Sequence, residues 1–380
     1  MFSLGEGGWE KGDMKRRDFI KGAAAIGLGT YVLGKAVPAR PSAGMNMPAR
    51  FYKKLSRNRV QCRLCPQKCK VKPGERGDCE VRENRGGEYY TLDYGNPCAV
   101  HNDPIEKKPL FHFLPGTLAF SMACAGCNIE CEFCQNWRIS QTRPQMVETY
   151  DIPPGKAVEL ARKYNSKSIA MTYTEPVIFY EYVYDTAAES KKQGLPTVMI
   201  SNGYIEREPM KELCKVLGAV KIDFKAFSQK FYDEYCGGDL QPVLDTLKLL
   251  KEEGIWFEMV HLTIPTLNDS PKETGELCKW IIKNLGPDVP LHFTRFHPDY
   301  KLRNLPPTPI KTLERQRKQA MDAGIHYVYA GNVPGHPGEN TYCHSCREML
   351  IQRVGFSIVK NIIKDGKCPK CGAKIPGVWK

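Results

Sequence analysis

The chain has 380 residues, enough for one large domain with small appendages or for two ordinary domains. Its 42% hydrophobic and 26% charged residues are ordinary globular composition, which excludes disorder as the main state and a polytopic membrane protein. Lys and Arg number 55 against 42 Asp and Glu, a net charge of +13. The excess is concentrated between Gly44 and Tyr90, where 12 basic residues meet 5 acidic ones. Such a patch can attract nucleic acid or an acidic partner, or it can balance a thiolate-rich metal site. No aromatic-interleaved RNA motif accompanies the charge, so the second reading is preferred.

Residues 1–43 read as a targeting segment. Lys15-Arg16-Arg17-Asp18-Phe19-Ile20-Lys21 precedes an apolar stretch over residues 22–34, and small residues follow. A basic region, a short apolar region and a small-residue end define an export signal, here of twin-arginine type. Met14 is the more typical start. Residues 44–110 are punctuated by cysteines and turns. Over residues 111–335 strands and helices alternate. Residues 117–122 read as a strand and 155–164 as a helix with one apolar face. Strands follow at 168–172, 196–201, 220–225, 256–264, 290–296 and 326–330. Helices fall between them at 179–193, 209–217, 243–253, 271–285 and 312–323, several closed by a glycine. This alternation predicts a parallel sheet with helices outside. Six or seven units are fewer than a closed barrel needs, so the fold class is α/β, an open, partial β/α barrel. Ligands of such sheets sit at the C-terminal strand ends. Residues 336–380 form a last small module.

Sixteen cysteines are too few for a disulfide scaffold, and twelve of them fall into three tight clusters, a pattern that favours metal. In the central cluster, Cys127-x3-Cys131-x2-Cys134 follows the first strand, with Phe133 before the last thiol. Three ligands suit a [4Fe–4S] cluster with one iron left open. The competing reading is a structural zinc, or a closed cluster using Cys124 as fourth ligand. The N-terminal cluster is Cys62-x2-Cys65-x3-Cys69-x9-Cys79, whose spacing fits either zinc or a second iron–sulfur cluster. The C-terminal cluster pairs Cys343-x2-Cys346 with Cys368-x2-Cys371, the spacing of a zinc ribbon. Cys98, Cys214, Cys236 and Cys278 are isolated and read as ordinary thiols.

The central motif, placed after the first strand of such a barrel, resembles the radical S-adenosylmethionine (SAM) superfamily. Further runs narrow the resemblance: Asp103-Pro-Ile-Glu-Lys-Lys-Pro-Leu-Phe-His112, Gly126-Cys-Asn128, Cys134-Gln-Asn-Trp-Arg-Ile-Ser-Gln141, Tyr173-Thr-Glu-Pro176, Ser201-Asn-Gly-Tyr204 and Asp223-Phe-Lys225. They are similar to the radical SAM member of the AmmeMemoRadiSam system, related to the activating enzymes of glycyl radical proteins such as pyruvate formate-lyase. The resemblance covers residues 62–380.

It implies an oxidoreductase that uses a [4Fe–4S] cluster to cleave SAM reductively to a 5′-deoxyadenosyl radical, which abstracts hydrogen from a protein substrate. It implies that Phe133 packs near adenine and that Thr174 and Glu175 bind the SAM amino group. Ser201 and Asn202 would hold ribose or carboxylate, and Asp223 and Lys225 would contact SAM or a peptide. Arg295 could hold a carboxylate bidentately. Read as residues alone, Thr174-Glu175-Pro176 is equally a turn, Asp223 and Lys225 an internal ion pair, and His292, Arg295 and His297 polar residues on a barrel rim. The implied partners are a low-potential electron donor, the protein substrate and the other two proteins of the system, and nucleic acid is not expected. An export signal points to export or membrane tethering, whereas SAM and low-potential electrons belong to the cytoplasm. Two other functions compete: a radical SAM enzyme modifying RNA, and a non-catalytic metal-binding interaction protein.

Overall fold

A computed structural model describes residues 47–380 of the chain, so the signal read in residues 1–43 lies outside the described residues. The centre is an eight-stranded sheet. Its strands are β1 (Ala99–Pro104), β2 (Leu118–Ala123), β3 (Ser168–Met171), β4 (Thr197–Ser201), β5 (Ala219–Phe224), β6 (Trp256–Thr263), β7 (Leu291–Arg295) and β8 (Val328–Gly331). They lie side by side in chain order, with β1 and β8 at the two edges. β2 to β8 are parallel, and β1 alone pairs antiparallel, on β2. This is the open, partial β/α barrel that the alternation predicts. β3 and β4 are buried at every residue, as expected of strands covered by helices on one side and by the barrel interior on the other.

The helices are α1 (Pro154–Lys163), α2 (Tyr180–Lys192), α3 (Arg207–Cys214), α4 (Gln229–Tyr235), α5 (Leu240–Glu252), α6 (Pro271–Asn284) and α7 (Ile310–Asp322). Local chemistry sets their ends. The Ser270 hydroxyl accepts from the Glu273 amide at 3.1 Å and Pro271 takes the first turn of α6, where a missing N–H costs nothing. Gly254 after α5 adopts φ +67°, the left-handed turn that lets the chain leave the helix.

Two elements depart from the sequence reading. β1 falls inside the stretch read as cysteine-rich and irregular. It is a half-exposed edge strand of mostly polar residues ending in proline, which carries no apolar alternation to read. α4 is short and depends on its cap, where Ser228 accepts from the Phe231 amide at 3.3 Å.

Two small modules flank the barrel. Before β1, Tyr52–Lys54, Val60–Cys62 and Lys70–Val71 form one antiparallel sheet, and Met47–Pro48, Arg82–Arg85 and Glu88–Thr91 another. After β8, Thr341–Tyr342, Met349–Val354 and Ser357–Asn361 form a third. The C-terminal module packs Leu350, Ile351 and Ile375 on Phe111, Tyr327 and Tyr329 of the barrel. Its tail runs beside the segment after β1, with the Val378 amide donating to the His112 carbonyl at 2.7 Å. Gly377 is required there, because a Cβ would stand 2.6 Å from that carbonyl oxygen. The Glu258 carboxylate, inside the barrel, accepts from the Phe111 amide (3.0 Å), the His112 amide (2.7 Å) and His292 Nε2 (2.8 Å). His292 is therefore a buried structural residue and not a rim residue.

Candidate active site and metal centres

At the C-terminal ends of the parallel strands lies a cavity of about 500 Å³. Cys127, Cys131 and Cys134 line it from the loop after β2, together with Phe133. Amide side chains pin that loop. Asn128 Nδ2 donates to the Tyr204 carbonyl at 2.7 Å, and Asn202 Nδ2 donates to Asn128 Oδ1 at 2.8 Å. Asn136 Nδ2 reaches the Tyr173 carbonyl at 2.7 Å. Gly126 has φ +96°, and a Cβ there would meet Val81 and Ile178 side chains and the Cys79 carbonyl within 2.9 Å, so no side chain fits.

The cavity's other walls come from successive strand ends. Thr174 and Glu175 follow β3, and Asn202 follows β4. Lys221 and Asp223 belong to β5, and Lys225 follows it. The three alternate along the chain, so they share one face. Lys221 Nζ pairs with Asp223, which leaves Lys225 facing the thiols. Burial works against the Lys225 charge, but Asp223 and the Cys131, Cys236 and Cys134 thiols outweigh it and hold the ammonium above its usual range.

Glu175 is buried and accepts three hydrogen bonds: from Ser201 Oγ at 2.7 Å, the Asn202 amide at 2.8 Å and the Val177 amide at 3.0 Å. Burial pushes its carboxyl up to about 7, against the pull of those donors and of Lys225. The residue thus ties the end of β3 to the end of β4 while presenting a carboxylate to the cavity.

Two expected contacts do not reach the cavity. Ser201 turns its hydroxyl to Glu175, because Ile200 and Asn202 on either side of it take the cavity face. Arg295 is likewise on the opposite face from Thr294, and its Nε donates to the Thr308 carbonyl at 2.9 Å. His297 is exposed, its ring held to the Pro298 carbonyl.

Other groups escaped the sequence reading. Lys108 lines the cavity and pairs with Asp103 at 2.5 Å, beside the Tyr173 hydroxyl. Burial lowers Lys108 to about 8, although Asp103 pulls the other way. Lys108 lies on an irregular segment after β1, where only the fold brings it to the strand ends. Cys236 closes α4, with its thiol beside that of Cys131. Cys124 is buried, and its thiol donates to the Asp93 carbonyl at 3.3 Å, outside the cavity.

The C-terminal thiols converge. Cys343 Sγ is 3.6 Å from Cys371 Sγ and Cys346 Sγ 3.7 Å from Cys368 Sγ, and all four lie within 4.8 Å of one another. Cys62, Cys65, Cys69 and Cys79 surround a second, small cavity between the N-terminal module and the barrel.

A sequence profile of the radical SAM superfamily matches residues 123–278, which carry the thiol loop and the strands from β3 to β6. The chain belongs to that superfamily of enzymes, whose members use a [4Fe–4S] cluster and SAM. Cys127, Cys131 and Cys134 suit such a cluster, since three thiols and no fourth line the cavity. More particularly, the chain is 47% identical to an uncharacterized protein of Methanocaldococcus jannaschii over 329 residues, which are 86% of this chain and 98% of that one. It is 24% identical over 220 residues to a pyruvate formate-lyase-activating enzyme of Clostridium pasteurianum, across 52% of this chain and 85% of the relative. Among solved structures, SuiB of Streptococcus suis bound to SAM aligns over 63% of this chain and 56% of its own, at 13% identity and a TM-score of 0.46.

Proposed function

We propose that the protein cleaves SAM at Cys127, Cys131 and Cys134 to abstract a hydrogen atom from a protein substrate, in the manner of a glycyl radical activase. The observation that carries this reading is the cavity itself. Three thiols share it with a buried carboxylate, two charged residues of β5 and Lys225. Cys127, Cys131 and Cys134 would hold the cluster, which would pass one electron from an external low-potential donor to SAM for its reductive cleavage. The chain's own residues bind and orient. Glu175 would accept from the SAM ammonium, Thr174 and Asn202 would hold its polar groups, and Phe133 would pack on adenine, all four lining the cavity. Asp223 and Lys225 set the charge beside the reacting centre. Arg295 and Ser201 position their neighbours and do not touch SAM.

A protein substrate is favoured by the surface beside the mouth. Phe356 lines the cavity from the C-terminal hairpin, and Val354, Phe356 and Val359 expose apolar side chains there. The resemblance of the sequence runs to the AmmeMemoRadiSam system makes its other two proteins the proposed partners, together with a low-potential one-electron donor. The four C-terminal thiols are proposed to hold zinc. Tetrahedral zinc–sulfur bonds of about 2.3 Å place sulfurs about 3.8 Å apart, close to the 3.6 and 3.7 Å found.

The test is anaerobic reconstitution with iron and sulfide, then SAM and dithionite, with 5′-deoxyadenosine quantified. Formation of 5′-deoxyadenosine that stops when Cys127, Cys131 and Cys134 are replaced supports the reading. A reconstituted, reduced protein that leaves SAM intact sinks it.

A further inference from the structure

The cavity around Cys62, Cys65, Cys69 and Cys79 is closed on its other sides by apolar groups, Leu64 from the module and Val177 and Ile178 from the barrel. Cysteine spacing alone fits zinc or an iron–sulfur cluster. Two features of the structure separate them.

The first is width. A single zinc would draw four sulfurs to tetrahedral contact, and the C-terminal thiols, at 3.6 and 3.7 Å, stand at that spacing. Among the described residues, that set is the one in which three or more His, Cys, Asp or Glu ligand atoms all lie within 4.8 Å of one another. The N-terminal four ring a common cavity of about 10 Å³, and no three of their sulfurs all lie within 4.8 Å of one another. A cluster needs that width, because irons and sulfides lie between the thiols.

The second is a pair of unused donors. Arg82 and Tyr89 both line this cavity and are each 1% exposed. Arg82 Nε and the Tyr89 hydroxyl have no hydrogen-bond partner. Buried donors are rarely left so, since an unmade hydrogen bond there carries its full desolvation cost. Gly77 makes room for the hydroxyl: a Cβ there would be 3.0 Å from Tyr89 Oη and 3.5 Å from Cys69 Sγ. Cluster sulfides are acceptors that zinc does not bring, and hydrogen bonds to them tune a cluster's potential.

We propose that Cys62, Cys65, Cys69 and Cys79 ligate a second iron–sulfur cluster, and that Arg82 Nε and the Tyr89 hydroxyl donate hydrogen bonds to its sulfurs. The two ligand loops touch. Asn128, next to Cys127, lines the same cavity, and the Cys79 carbonyl presses on Gly126. The second cluster therefore sits beside the loop that holds the first.

The test uses the full chain with Cys127, Cys131 and Cys134 all replaced by Ala, reconstituted anaerobically and assayed for iron, acid-labile sulfide and zinc. The expected result is a brown protein retaining about two to four irons and as many sulfides, with one zinc. A colourless protein holding two zincs overturns the proposal. If that variant does not fold, the wild-type ratio decides: more than about four irons with one zinc supports a second cluster, and about four irons with two zincs refutes it. In the same triple variant, Tyr89→Phe should keep the iron count and move the remaining cluster to a more negative potential. An unmoved potential removes Tyr89 from the assignment. None of these readouts depends on SAM cleavage, so failure of the proposed reaction would leave this inference standing.

Discussion

Arg82 and Glu181 meet as a buried fork. Arg82 Nη1 and Nη2 each donate to the Glu181 carboxylate at 2.9 Å, with the two side chains 1% and 3% exposed. Nη2 also reaches the Arg50 carbonyl at 2.8 Å, and the Arg50 amide donates to Glu181 at 2.6 Å. One carboxylate on α2 thus holds two segments of the N-terminal module against the barrel. Glu181→Gln would leave the Arg82 charge buried without its counter-charge, at a cost of about 3–5 kcal/mol. The expected outcome is a lower melting temperature and faster proteolysis at the module, measured on the reconstituted protein.

Acid should weaken the fold through His112. Its Nδ1 lies 2.7 Å from the Pro376 carbonyl and its Nε2 2.6 Å from the Tyr329 hydroxyl. Burial lowers it to about 4, outweighing the pull of Glu258 and the Pro376 carbonyl. The unfolded chain then binds the proton first as pH falls, so stability is full above about 6.5 and declines between about 6.5 and 4. The shift corresponds to roughly 3 kcal/mol. His261, also lowered to about 4 by burial, adds a second share. In urea titrations at pH 4 to 7, His112→Gln should flatten the slope relative to wild type. Parallel slopes would exclude His112 as a contributor.

Glu175→Gln should keep the iron content and raise the SAM dissociation constant about ten- to a hundredfold, the value of one charge-assisted hydrogen bond. SAM affinity in the wild type should rise with pH through about 7, as the Glu175 carboxyl ionises, and that dependence should vanish in the variant. Ser201→Ala provides the control when measured well above pH 7, because it removes one bond to Glu175 and keeps the carboxyl ionised there. Equal losses in both variants, seen by calorimetric titration, would assign Glu175 a purely organising role.

Cys124→Ala and Cys236→Ala should each retain the central cluster. Cys124 donates to the Asp93 carbonyl, and Cys236, beside Cys131, is not among the residues lining the cavity. Iron quantification and the iron–sulfur spectrum decide. Loss of the cluster in either variant would falsify the three-thiol arrangement.

Replacing Cys343, Cys346, Cys368 and Cys371 by Ser should remove one zinc and lower the melting temperature. The four thiols are the centre around which the C-terminal module folds, and such metal binding is folding free energy. Zinc retained at unchanged stoichiometry would contradict the assignment.

Periodicity and spacing were sufficient for much of this protein. The parallel strands carry mostly buried runs, complete in β3 and β4, and glycine stops close several of the helices between them, so each is visible in a window of a few residues. The cysteine clusters are equally local, because a chelating loop must bring its thiols together within a few residues. Alternation also placed Asp223 and Lys225 on one face before any contact was known. It failed at β1, an edge strand whose polar residues carry no period.

What the tertiary structure decided is which side chains meet across the fold. The sequence puts Asp223 next to Lys225 on its face, yet Lys221 is the partner it takes. Thr294 and Arg295 are adjacent in the chain, but the twist and register of β7 send only the first to the cavity. Lys108 lies in the run over residues 103–112 that carries the resemblance, and Cys236 on a short capped helix, but neither position directly follows a strand of the sheet, so only the fold brings them to the site. Local rules govern ligand spacing and strand faces because those depend on neighbouring dihedrals. Pairing of buried charges, and the width at which four thiols stand, depend on packing between segments far apart in the chain, and only the folded protein sets them.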